Sequence, residues 1–421
     1  MSQRLTIISS DDHAGPPPAQ YREYFDSRYH DDFDTYMKER ISFGMQEDTT
    51  LEPEVADRFR RELVETGRAN GTWDPERRIK ELEDEGVVAE VIYPDGLRDN
   101  EVPFAGAFGV GRSTYSNELI KAGQRAYNRW LAEFCGTHPE RMGGLALVQF
   151  GDVEAAVREI EWAAEQPGIR GVMVPGINPD LPPYFSSRYD PIWSACVGAD
   201  LPVNVHVGSG GEPMGNGGDP EEMLAAMTNG AILLITSAEL CFYAHRPLWW
   251  LIGGGVLDRY PAMKVAFTEQ QADWIPRVLG TLDYGYQRFP FKGLRGIEQT
   301  PSAYWERRCF VGSSLTSRLE AQMRHEIGID NMMFGVDYPH FEGTWGRTRR
   351  LIRATFGEAG TTPEEARKLF AENAARCYGF DLVALDKIAQ RVGPTVDEVL
   401  APSDIDDSDP YFAMVFRPLS A

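Results

Sequence analysis

The chain has 421 residues, 42% of them hydrophobic and 25% charged, enough to bury a large core in one big domain or two ordinary ones. Its 64 acidic against 42 basic residues leave a formal charge of -22, which repels nucleic acid and anionic lipid and leaves a small molecule or another protein as the expected partner. The five cysteines, Cys135, Cys196, Cys241, Cys309 and Cys377, are far apart and form no C-x-x-C pair, a usage that predicts a reducing cytoplasm rather than a disulfide framework.

The N-terminal "MSQRLTIISSDD" lacks the apolar core and cleavage site of a secretory signal. Residues 5–10 predict the first strand, followed directly by Asp11, Asp12 and His13. Residues 14–72, rich in Tyr, Phe, Asp and Arg, predict an insertion or lid. In "WDPERRIKELEDEG" Asp74 can cap a helix, Pro75 fits its first turn, Ile79 and Leu82 mark an apolar stripe and Gly86 can close it. A second strand follows at 87–93, then the glycine-rich loop "PDGLRDNEVPFAGAFGVGRS". Strands at 143–150, 171–175 and 201–207 come next, the last ending in His206, with a helix at 152–166 between the first two. The apolar segment "AILLITSAELCFYAHRPLWWLIGGGVL" is interrupted by Glu239, His245 and Arg246, which are costly in a bilayer, so it reads as part of a buried helix over 220–252 and not a membrane span. A strand at 263–269 ends in Glu269, and helix 274–286, strand 309–313 and helix 317–328 lead to strand 332–336, then Asp337 and His340. Helix 363–378 completes the alternation.

Eight Val- and Ile-rich runs separated by helical segments predict a (β/α)8 TIM barrel over residues 1–380, with long insertions at the C-terminal face; an open doubly wound sheet is the alternative. Residues 381–421 predict a C-terminal extension. Its apolar end, "YFAMVFRPL", is hard to leave in water and predicts a homodimer or larger assembly.

Asp11, His13, His206, Glu269 and Asp337 fall at the same end of strands one, five, six and eight. Each alone has an ordinary explanation: a core histidine, a turn residue, or, for Glu269, a helix cap. Their coincidence at one end of a barrel does not. Two imidazoles with carboxylates suit one divalent ion, zinc or manganese, which can activate water or polarise a carbonyl while an Asp moves the proton. No organic cofactor is required. His245 is a further candidate for catalysis, with packing inside its helix the competing reading. His340 is close enough to Asp337 to reach a substrate or to orient that loop. The loops also offer Arg28, Arg98, Arg112 and Tyr184, with Arg112 the expected substrate contact. His30, His138 and His325 read as surface residues.

The segments "SSDDHAGPP", "LPVNVHVG", "GGGVLDRYPAMKVAFTEQQADWIPRVLGTLD", "GVDYPHFEGTW" and "AENAARCYGFD" together resemble the amidohydrolase superfamily. The likeness is to its amidohydrolase-related branch, which includes aminocarboxymuconate semialdehyde, γ-resorcylate and 5-carboxyvanillate decarboxylases. The resemblance implies that Asp11, His13, His206 and Asp337 hold the metal and that Asp337 also handles the catalytic proton. Asp12 would point to the opposite side of the strand. Many relatives carry a strand-six histidine in "GH-x-G"; here the position is Glu269 in "FTEQQ". An extra carboxylate is an awkward neighbour for an anionic substrate. The expected activity is therefore hydrolysis of a C–N or C–O bond in a small organic acid, with non-oxidative decarboxylation of an aromatic or enoic acid as the alternative. A metal-stabilised binding protein without turnover is a third reading, disfavoured because a purely structural site needs no open coordination position.

Overall fold

The computed structural model describes residues 3–39, 53–95, 97, 100–106, 109–110, 113–176, 178, 180–209, 230–289, 297–340 and 342–401. Eight parallel strands pair in chain order: β1 (Ile8–His13), β2 (Ala89–Tyr93), β3 (Met142–Leu147), β4 (Ile169–Met173), β5 (Val203–His206), β6 (Val265–Thr268), β7 (Cys309–Ser314) and β8 (Met332–Gly335). Just past the end of β8 the chain meets β1: the Asp337 N–H donates to the Asp11 carbonyl at 2.7 Å, and the His13 N–H to the Tyr338 carbonyl at 2.7 Å. The sheet thus closes as the TIM barrel expected, with helices packed around it.

Five strands end one to three residues before the apolar run read for them does, at Leu147, Met173, His206, Thr268 and Gly335. β1 and β7 run further than read, because their last side chains at the barrel mouth are polar and the hydrophobic signal stops before the backbone pairing does. β1 continues through Asp11, Asp12 and His13, with His13 opposite Tyr93 on β2 and all six residues buried. Predicted helix 317–328 is broken into Arg318–Gln322 and Arg324–Ile327, and 363–378 is interrupted by a wider turn at Lys368–Glu372. The long helix runs Gly230–Gly253, and residues 220–229 of its predicted span lie outside the described residues.

The helix Pro75–Glu85 forms as read: the Asp74 carboxylate accepts from the N–H groups of Glu76 and Arg77, and Gly86 closes it at φ 83°. A helix absent from the sequence reading, Asn117–Gly136, covers β3. Its Gly123 packs against the main chain at Pro103, whose carbonyl a Cβ would strike. Gly123→Ala should therefore destabilise the fold by about 1–3 kcal/mol, read as a lower melting temperature; an unchanged Tm would show that this contact is loose.

The described parts of the 14–72 insertion are fastened to the barrel. The Tyr338 hydroxyl donates to the Arg68 carbonyl, Arg68 pairs with Glu85 at 2.9 Å, and Arg347 pairs with Glu62 at 3.0 Å. Residues 381–401 pack at the entry to β1, where the Leu5 N–H donates to the Pro394 carbonyl at 2.8 Å and the Val396 N–H to the Gln3 carbonyl at 2.9 Å. This is the end of the barrel away from the strand C-termini. The apolar tail beyond it lies outside the described residues. No helix among the described residues is long and apolar enough to cross a membrane.

Candidate metal centre

Strand alternation sends Asp11 and His13 to one face of β1 and Asp12 to the other. Asp12 accepts the Tyr338 N–H at 2.7 Å through Oδ1 and stands apart from the cluster. The inward pair meets β5: Asp11 Oδ1 lies 3.4 Å from His206 Nε2 and 3.6 Å from His13 Nε2. The other Asp11 oxygen accepts from the Ser314 hydroxyl. Oδ1 is buried and meets no hydrogen-bond donor among the described residues.

Both histidines are oriented by carbonyls. His13 Nδ1 donates to the Pro94 carbonyl at 2.7 Å and His206 Nδ1 to the Val207 carbonyl at 2.8 Å. A carbonyl can only accept, so in the neutral ring the lone pair sits on Nε2, directed toward the carboxylates. Glu269 Oε2 approaches His206 Nε2 at 3.1 Å. Asp11, His13, His206 and Glu269 each present one donor atom, all within 4.8 Å of one another. Asp337 joins through His13, with Oδ1 3.3 Å from Nε2. His340 lies beyond it, with Nδ1 2.8 Å from Asp337 Oδ1 and Nε2 donating to the Asp95 carbonyl at 3.1 Å.

An orphaned buried carboxylate oxygen facing two imidazole lone pairs is unfavourable without a cation between them. Two nitrogen and several oxygen donors fit one divalent ion of the zinc or manganese type. The electrostatics agree. Burial pushes the His13 imidazole down to about 4, favouring the neutral form a ligand needs. Burial, with Asp337 and Asp11 nearby, holds the Glu269 carboxyl well above its usual value. Burial works the same way on Asp337, but His340 and His13 outweigh it and keep this carboxyl below its usual range.

The backbone is shaped to deliver these groups. Asp95, Glu269, Leu315 and Asp337, each just past a strand, have φ of 66°, 55°, 52° and 58°. Left-handed conformations in such residues cost on the order of 1–3 kcal/mol each and concentrate at functional sites. The helix-cap reading of Glu269 does not hold. The next helix, Trp274–Arg288, begins after Asp273, and the Glu269 side chain points to His206 instead.

The structure does not bring His245 into any donor set found among the described residues. It lies flat on Trp274, 3.8 Å between ring centroids at 15°, with Nε2 toward the Gln270 carbonyl at 3.4 Å. Packing thus accounts for it. Arg112 and Arg98 lie outside the described residues. Tyr184 is a core residue whose hydroxyl donates to the Pro175 carbonyl, and Arg28 is exposed beside Asp26. Sequence reasoning missed Tyr93, whose ring centroid is 4.7 Å from that of His206 and whose hydroxyl donates to Thr268 at 2.8 Å. It also missed the buried pair Arg78–Glu90. Positions 78, 82 and 85 share one helix face, which marks Arg78 as lying on the Leu82 stripe.

The family model described as Amidohydrolase matches residues 89–380, more than half of the chain; Asp11 and His13 precede the match. Among curated proteins, γ-resorcylate decarboxylase of Polaromonas sp. is 24% identical over 242 residues, covering 55% of this chain and 68% of that protein. The γ-resorcylate decarboxylase of Rhodococcus jostii is 23% identical over 272 residues, covering 61% and 76%. Among solved structures, 5-carboxyvanillate decarboxylase from Novosphingobium aromaticivorans, complexed with manganese and 4-hydroxy-3-methoxy-5-nitrobenzoic acid, gives a TM-score of 0.62 at 19% identity over 89% of this chain and 96% of that one. That likeness shows the fold alone. With the family model matched across strands β2 to β8 of a closed eight-stranded barrel, the chain belongs to the amidohydrolase family.

Proposed function

We propose that the protein is a divalent-metal-dependent decarboxylase acting on a hydroxylated aromatic carboxylic acid. The observation that carries this reading over hydrolysis is the identity of the relatives: the curated matches are γ-resorcylate decarboxylases, and a decarboxylase of similar fold is complexed with manganese and a nitro-substituted hydroxybenzoic acid. The same donors serve either reaction, so the relatives move the balance that the sequence left toward hydrolysis.

In this reading Asp11, His13, His206 and Asp337 would hold the ion, with Glu269 as a further donor. When bound, the ion supplies Lewis-acid charge for the carboxylate and neighbouring hydroxyl oxygens of the substrate. Asp337 and His340 manage the proton. Both His340 nitrogens sit on acceptors, Asp337 and the Asp95 carbonyl, an arrangement that stores a proton next to the Asp337 carboxylate. As the C–C bond breaks, its electron pair remains on the ring carbon, carbon dioxide leaves, and Asp337 passes that proton to the carbon. Tyr93, packed against His206, helps wall the pocket and exclude water.

Glu269 Oε2 lies 3.1 Å from His206 Nε2, where a bound cation would offset its charge, which answers the objection its carboxylate raised. Glu269→Gln should lower turnover by roughly a hundredfold, the scale for loss of a group that supports a bound ion, with little change in melting temperature. Wild-type kinetics in that variant would remove Glu269 from the site.

The test of function compares metal-stripped and manganese-reconstituted protein on hydroxylated benzoic acids and on matched amides and lactones, following carbon dioxide and hydrolysis products separately. Metal-dependent carbon dioxide release from a hydroxybenzoate supports the proposal. Metal-dependent hydrolysis without carbon dioxide release would restore the other reading. Five free thiols support a cytoplasmic location. We carry forward the proposal of a homodimer or larger assembly, against which a monomer by light scattering at micromolar concentration would count.

A further inference from the structure

Behind the metal donors lies a buried ionic group that the proposed chemistry does not use. Arg78, on the helix Pro75–Glu85, and Glu90, on β2, are both wholly buried, with Nη2 2.6 Å from Glu90 Oε2. Arg78 Nε lies 2.9 Å from each Glu90 oxygen. Nη1 donates to the His13 carbonyl at 2.9 Å, and the guanidinium carbon lies 4.5 Å from the centroid of the Tyr338 ring.

These contacts fall on β1, on β2 and on the segment that follows β8, all of which lead to the site. His13 ends β1 and is one of the donors. Glu90 lies on β2, which leads to Pro94, whose carbonyl orients the His13 ring. Tyr338 directly follows Asp337; its N–H is held by Asp12 at 2.7 Å and its carbonyl by the His13 N–H at 2.7 Å. A single planar fork therefore ties the main chain of one donor to the residue adjoining another.

Stability alone does not account for such a pair. Desolvating two charges is expensive, and apolar residues of similar volume commonly serve a fold as well or better. What an apolar pair cannot supply is a rigid set of donors that grips a carboxylate and a carbonyl at once. Lysine cannot supply it either.

We propose that Arg78 is a positioning residue for the metal centre: anchored by Glu90, it holds the His13 carbonyl and the Tyr338 ring and so fixes the separation of the His13 and Asp337 donors. The proposal rests on the metal reading of the site but not on decarboxylation, because its test reads ion binding and no substrate enters it.

The experiment measures Mn2+ affinity by calorimetry, together with melting temperature, for wild type, Arg78→Lys and the double variant Arg78→Met/Glu90→Met. The double variant removes both charges together, so that neither is left buried and unpaired, while the His13 carbonyl loses its Arg78 donor. Arg141→Met is the control: Arg141 is also buried, donating to the Val88 carbonyl at 2.8 Å and pairing with Glu83 at 2.8 Å, but at the entry to β2, away from the donors. The expected result is Mn2+ binding ten- to a hundredfold weaker in Arg78→Lys and in the double variant, the scale for loss of a group that orients a ligand. Both should melt within a few degrees of wild type. Arg141→Met should lose stability and keep wild-type affinity. Should the double variant fail to fold, Arg78→Lys decides. Wild-type affinity in a folded Arg78 variant overturns the proposal, as does equal weakening in Arg141→Met, which would make the effect general loosening. A wild type that takes up no divalent ion overturns the metal reading and this proposal with it, whereas inactivity toward every benzoate alongside tight Mn2+ binding overturns only the decarboxylase reading.

Discussion

Asp337→Asn should lower turnover about a thousandfold, within the range for loss of a positioned proton donor, while the barrel stays folded and most of the divalent ion remains. Asparagine has the same size, keeps a carbonyl oxygen for the ion, and tolerates the left-handed backbone found at this position, φ 58°. The main-chain bond from residue 337 to the Asp11 carbonyl does not depend on the side chain. What the amide lacks is the capacity to take a proton from His340 and pass it to the substrate. Carbon dioxide release, melting temperature and metal content measured together check this. Activity within a few-fold of wild type would remove Asp337 from the proton path.

His206→Ala should abolish both ion binding and turnover. His206 is wholly buried and its Nε2 faces Asp11 Oδ1 at 3.4 Å and Glu269 Oε2 at 3.1 Å. Removing it deletes one of two nitrogen donors and leaves carboxylates facing each other across the gap. Loss of a mere supporting partner already weakens metal binding ten- to a hundredfold; loss of a ligand should exceed about a hundredfold. Elemental analysis after dialysis should find close to one ion per chain in wild type and almost none in the variant. Full metal content in His206→Ala would show that β5 contributes no ligand.

The barrel was legible because most strands have an apolar centre, such as Val203 and Val205 or Val265 and Phe267, buried on both sides. The ends of β1 and β7 were not, because Asp11, His13 and Ser314 replace that signal with polar side chains that only the assembled mouth satisfies. Period-two alternation separates Asp11 and His13 from Asp12 before any fold is known; the rest of the candidate donor set rests on positions at strand ends and on the family resemblance. His245 illustrates the limit: a histidine near a barrel mouth reads the same whether it faces a substrate or stacks on Trp274, and the partner helix decides. Arg78 was hidden for the opposite reason. In "PERRIKELEDE" a charged residue looks like solvent-facing surface; its place on the Leu82 face hints at burial, and Glu90, twelve residues on, supplies the partner. The choice between hydrolysis and decarboxylation was not readable from ligands at all, since both reactions call on the same ion and the same acid.

In the proposed function the ends of β1, β5, β6 and β8 build one divalent-metal centre. Diffraction from crystals grown with Mn2+, recorded at the manganese absorption edge, tests it most directly. The predicted result is a single anomalous peak per chain, enclosed by Asp11, His13, His206 and Asp337 with Glu269 at its margin. A peak elsewhere on the chain, with these side chains bonded only to one another, would contradict it.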